Sequence, residues 1–172
     1  MTSPQAWIRG WRLLSIAAAL AITGVAAGCS GGNVASHTIT QQQATARAEQ
    51  ILRETATSLD PQPVLEKNPL LTVTDMCVAN VPDANEMVNV AYSYWLRGIT
   101  ATQFGEIGQQ IKAFWKKKGY TIFTSGGFGT GQPDISGETQ DSFLISLDWS
   151  AKGEISIGAT SPCIYPDGKP PS

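Results

Sequence analysis

Apolar positions recur along this chain in three different rhythms. From Leu13 to Ala27 they form an unbroken run, "LLSIAAALAITGVAA", without a charge. Further on, Ala44, Ala48, Ile51, Leu52, Ala56 and Leu59 return at the spacing of one helical face. Thr40 with Gln43 fits a capping box, so a helix is predicted over 41–58, ending before Pro61. The segment 60–86 holds prolines at 61, 63, 69 and 82, which exclude a long helix or a central strand there. Within it, only the stretch around Cys77 reads as a short extended piece.

From Met87 the rhythm becomes strict alternation. Val88, Val90, Tyr92, Tyr94 and Leu96 fall on one side, Asn89, Ala91, Ser93, Trp95 and Arg97 on the other, which predicts a strand. "TATQFGEIGQQIKAFWKKKG" then returns to the helical period, with Phe104, Ile107, Ile111, Phe114 and Trp115 as its buried stripe. Lysines at 116–118 close its last turn, where cations complement the helix dipole, and Gly119 stands where a left-handed cap is expected. "YTIFTS", "DSFLISLDWS" and "EISIGATSPC" each read as strands, the first two joined by a glycine-rich loop over 126–140. The order α-β-α-β-β-β predicts an α+β fold: an antiparallel sheet of about four strands with two helices packed on one face.

The opening run is too short and too rich in alanine for a helix crossing ~30 Å of hydrocarbon. Arg9 and Arg12 precede it and small residues end it, which is the pattern of a secretory signal peptide. The quartet Ala26, Ala27, Gly28, Cys29 resembles the lipobox of bacterial lipoproteins, with alanine at 26 where leucine is most usual. That resemblance implies cleavage before Cys29 and acylation of its thiol; two or three acyl chains hold a protein on a membrane far more firmly than one. The expected organisation is a signal peptide over 1–28, a lipidated flexible tether over 29–40, one domain over 41–165 and a disordered tail over 166–172. The expected address is the outer face of the cytoplasmic membrane.

Composition narrows the partners. With Arg9 and Arg12 removed, ten basic residues face fourteen acidic ones, a net charge of −4. An acidic chain lacks the electrostatic footprint of nucleic-acid binding. Beyond Cys29, Cys77 and Cys163 remain, an even pair on an oxidising side of the membrane, which predicts a disulfide between them.

Chemistry is sparse. The lone histidine, His37, falls in the tether, a poor place to hold a catalytic base. Asp134, Glu138, Asp141, Asp148 and Glu154 could pair as acid and base, but their loop and outward strand positions read as solvated charge. Gly127, Gly129 and Gly131 alternate, yet Pro133 and a strand follow them instead of the helix that a phosphate loop requires. Nothing implies a metal or another cofactor.

Two surfaces remain. Trp95 and Arg97 face away from the core side of their strand and are residue types enriched in binding hot spots, and Phe128 is expected as an exposed aromatic at a loop tip. "YWLRG", "KKKGY", "SFLISLDWSAKGEISI" and the closing "ATSPC" are similar to small lipoproteins of unknown function from high-GC Gram-positive bacteria. The resemblance implies a lipid-anchored α+β domain with a disulfide and supplies no activity. The expectation is a non-enzymatic envelope module that binds another envelope protein or a small ligand. A hydrolase working through loop carboxylates and a purely structural envelope lipoprotein are the alternatives.

Overall fold

The computed structural model describes residues 39–77 and 86–170. The expected signal peptide and the expected tether up to residue 38, with Cys29 and His37, lie outside the described residues. Thr40 caps the first helix, α1 (Gln41–Thr57), through the capping box read from the sequence. A 3₁₀ turn over Ala101–Gln103, opened by the same device at Thr100, leads into α2 (Phe104–Lys117). Gly119 follows with a positive φ of 76°, as a helix C-terminus favours.

The sheet differs from the expectation of about four strands: it has seven, all antiparallel. In chain order they are β1 (Val64–Lys67), β2 (Val73–Met76), β3 (Val88–Arg97), β4 (Thr121–Gly126), β5 (Asp134–Glu138), β6 (Leu144–Trp149) and β7 (Ile155–Thr160). Across the sheet the order is β1-β3-β7-β6-β5-β4, and β2 also pairs with β3. The three additional strands are β1, β2 and β5. Pro63 and Pro69 lie just outside β1 and β2, and an edge strand needs only one ladder, so the prolines are tolerated. β3 is long enough to hold β7 on one side while β1 and β2 share its other side end to end. β5 lies within the stretch that reads as loop because Gly137 interrupts its pattern. A Cβ at Gly137 would come within 2.5 Å of the Thr121 carbonyl oxygen, so glycine permits β4 to approach.

Both helices cover the same side of the sheet. Ile51 and Leu52 of α1, Phe104, Ile107, Ile111 and Trp115 of α2, and Val90, Tyr94, Ile145, Leu147 and Ile157 of the strands share one core. Trp115 is fully buried, and its indole N–H donates to Thr55 Oγ1 at 3.0 Å. Thr55 in turn donates to the Ile51 carbonyl at 2.8 Å, so no polar atom of this helix–helix contact is left unpaired.

Cys77 and Cys163 are joined, with Cα atoms 5.7 Å apart. Backbone bonds hold both ends: Cys77 N–H donates to Met87 O, and Ile164 exchanges two hydrogen bonds with Val88. The chain end also departs from the expected disordered tail. Gln41 N–H donates to Pro166 O at 3.0 Å, and Gly168 N–H closes a turn on Tyr165 O. These backbone bonds tie residues 165–168 to the start of α1.

Candidate functional site

The side of the sheet turned away from both helices carries a groove of about 440 Å³. Its floor is built where β3, β7 and β6 run side by side: Ala91, Ser93, Gly158 and Thr160 are small, which keeps the floor low. A Cβ at residue 158 would stand 2.9 Å from the Ser146 hydroxyl, so glycine leaves that hydroxyl room to turn. It turns to Asp148, donating to Oδ2 at 2.8 Å. Asp148 remains exposed by surface area while the groove walls crowd its carboxylate. That desolvation, aided by the negative charge of Asp134, raises its pKa above the ordinary aspartate value, with the Ser146 bond opposing.

The other wall is the strap between β1 and β2. Because those strands pair with opposite ends of β3, the Ser93 backbone between them needs other partners. Asn68 N–H donates to Ser93 O at 2.9 Å, and Ser93 N–H donates to Thr72 Oγ1 at 3.1 Å. The buried Asn68 side chain accepts from Leu70 N–H at 3.2 Å, which turns the strap outward. Leu70 and Leu71 are thereby left 83% and 51% exposed at the groove rim, an orientation that desolvation alone does not favour. Asp75 of β2 lines the same groove.

Trp95 and Arg97 lie on this side of the sheet, as their alternation predicts, but Arg97 is already engaged. It grips Glu66 through two bonds of 2.9 and 3.1 Å and Glu154 through one of 2.7 Å, while its guanidinium lies 5.4 Å from the Trp95 ring centroid. These carboxylates raise the Arg97 pKa further, and Arg97 lowers that of Glu66. Arg97 thus links β1, β3 and the entry to β7.

Phe128 differs from expectation. Instead of an exposed loop tip, it is half-buried against α2 and packs on the core. Gly105 and Gly108, one turn apart on α2, form its seat. A Cβ at Gly108 would stand 2.9 Å from the Phe128 ring, and one at Gly105 would overlap the Phe128 carbonyl oxygen. Lys112 covers the ring, 5.5 Å from its centroid. The glycine spacing of α2 was the available signal for this contact.

A larger hollow of about 710 Å³ runs along the solvent side of α1. Its charges satisfy one another: Arg53 with Glu49 at 2.6 Å, Lys118 with Glu54 at 2.8 Å, and the Tyr94 hydroxyl donating to Glu49. The sheet groove is smaller, but Asp75 and Asp148 meet no cation among the described residues, which makes it the stronger candidate. No cluster of three or more potential metal ligands occurs among the described residues. No helix among them is long and apolar enough to cross a membrane. Compared with protein-family models, with curated proteins and with solved structures, the chain matches none of them.

Proposed function

We propose that this chain is a lipid-anchored, non-enzymatic interaction module on the outer face of the cytoplasmic membrane, and that it binds through the open side of its sheet. The lipobox-like quartet ending at Cys29 supports the address, and the joined cysteines fit an oxidising compartment. The observation that carries the binding role is the helix-free sheet side, where exposed leucines rim a groove holding two carboxylates that meet no cation among the described residues. A layer with no use in the domain's own packing would be expected to be polar and featureless.

Two measurements test this reading. Cys29→Ala should abolish detergent partition; a processed Cys29→Ala protein that still fractionates with membranes would refute the anchor. A photo-reactive residue at position 70 should cross-link a partner on intact cells, while one at position 113, on the exposed side of α2, should not. Equal labelling from both positions would refute the assignment of the face.

A hydrolase remains the second reading, favoured by one observation: Asp148 is shifted toward the protonated form that a general acid needs. Release of fragments from wall polymer by the purified chain, lost in Asp148→Asn, would support it over the binding role.

A further inference from the structure

Strand registers determine which side each charge occupies. Glu66 stands opposite Trp95, Asp75 opposite Asn89, Glu138 opposite Leu144 and Asp148 opposite Ser156. Asp134 shares the side of Ser136 by alternation, and Glu154 reaches Arg97 there. All six carboxylates therefore project from the side without helices, and Arg97 is the one cation among the strand residues of that side. Glu154 precedes β7; the five that lie within strands, against Arg97, leave −4, and residues 29–172 as a whole carry −4. The strands of this one side thus carry as much net charge as that whole stretch. Four of the six, Asp75, Asp134, Glu138 and Asp148, meet no cation among the described residues.

Keeping these charges together costs stability through mutual repulsion. They are also interleaved with exposed apolar groups, since Leu144 (53% exposed) projects from the same side as Asp148, and Val73 (39% exposed) from the same side as Asp75. We infer that this side docks a basic, extended segment of a partner protein, in which lysines or arginines are spaced by apolar residues. The cationic heads meet the carboxylates, while their aliphatic stems lie along Leu70, Leu71 and Val73. The same field disfavours acidic partners and nucleic acid. A small monocation is a poorer match: the unpaired carboxylates extend from β2 across the sheet to β5, and one positive charge would leave most of them facing one another. The inference names the partner class for the binding role proposed above and rests on it.

The test uses the purified full chain in a zwitterionic detergent, with fluorescence anisotropy of a short dye-labelled peptide repeating Lys-Ala-Lys-Val. Binding is expected, weakening as salt is raised, and the Glu-Ala-Glu-Val peptide should not bind. Asp75→Asn with Asp148→Asn should weaken binding about tenfold, and Leu70→Ser with Leu71→Ser several-fold. Asp60→Asn with Glu106→Gln, an equal change of charge in the helix layer, should alter it by less than about twofold. Three outcomes would overturn the inference: no binding of the basic peptide, equal losses from the two charge pairs, or displacement by spermine as effective as by unlabelled peptide. Peptide binding does not depend on the lipid, so a failure here leaves the membrane address standing, and a failure of fractionation leaves the preference of this face standing.

Discussion

Replacing Cys77 and Cys163 together by serine should lower stability mainly through the unfolded chain. The bond spans 86 residues of sequence. For a loop of that length the chain-entropy relation gives about 4–5 kcal/mol at 25 °C, the upper part of the roughly 2–5 kcal/mol typical of removing a native disulfide. That is a large part of the ~5–15 kcal/mol a domain of this size has. At roughly 4 °C per kcal/mol the melting temperature should fall by about 15–20 °C. The folded architecture should survive, because Cys77 N–H stays bonded to Met87 O and Ile164 stays paired with Val88 without the sulfurs. Hydrogen exchange should therefore rise first in β2 and the strap before it, which have the fewest other ties and form one wall of the groove. Thermal unfolding with and without reductant, followed by limited proteolysis, reads both effects. A fall of less than about 5 °C, or first cleavage outside 60–86, would refute the argument.

Three further substitutions probe separate parts of the structure. Gly105→Ala should destabilise by about 1–3 kcal/mol, because the overlap with Phe128 O outweighs the ~1 kcal/mol helix preference of alanine; a raised melting temperature would contradict the glycine seat. Trp115→Phe removes the indole donor from the buried Thr55 hydroxyl and leaves a small void, for an expected loss of about 1–3 kcal/mol in denaturant unfolding; a neutral result would mean that the bond is replaced. Asp148→Asn should stabilise at neutral pH. The folded pKa of Asp148 is raised, so between the unfolded and folded values the folded state holds more protons, and stability falls as pH rises through that window. The advantage of asparagine should vanish on acidification below both values, as urea titrations across pH would show. A less stable variant at neutral pH would reverse the sign of the argument. Stabilisation combined with weaker peptide binding is the expected signature of a carboxylate retained for a partner.

Local pattern sufficed for both helices and four of the strands, because each of those segments carries its own period. The stripe of α2, the alternation of β3 and the capping boxes at Thr40 and Thr100 are properties of neighbouring residues. The pairing of Cys77 with Cys163 was legible by parity alone. What could not be read locally depends on residues distant in sequence. β1 and β2 are four-residue segments between prolines that become strands only because β3 offers an unoccupied side. β5 exists because Gly137 lets β4 approach, and Phe128 is drawn inward by two glycines some twenty residues earlier. The groove is likewise a tertiary property: Asp75, Asp148 and Leu70 belong to separate segments and share a face only through the antiparallel registers. Composition alone sets the net charge, −2 for the whole chain and, without Arg9 and Arg12, −4 for residues 29–172. Only the pleat and pairing of the strands decided that six carboxylates would gather on one side. Side-chain direction in a strand has period two, and register sets which side faces solvent.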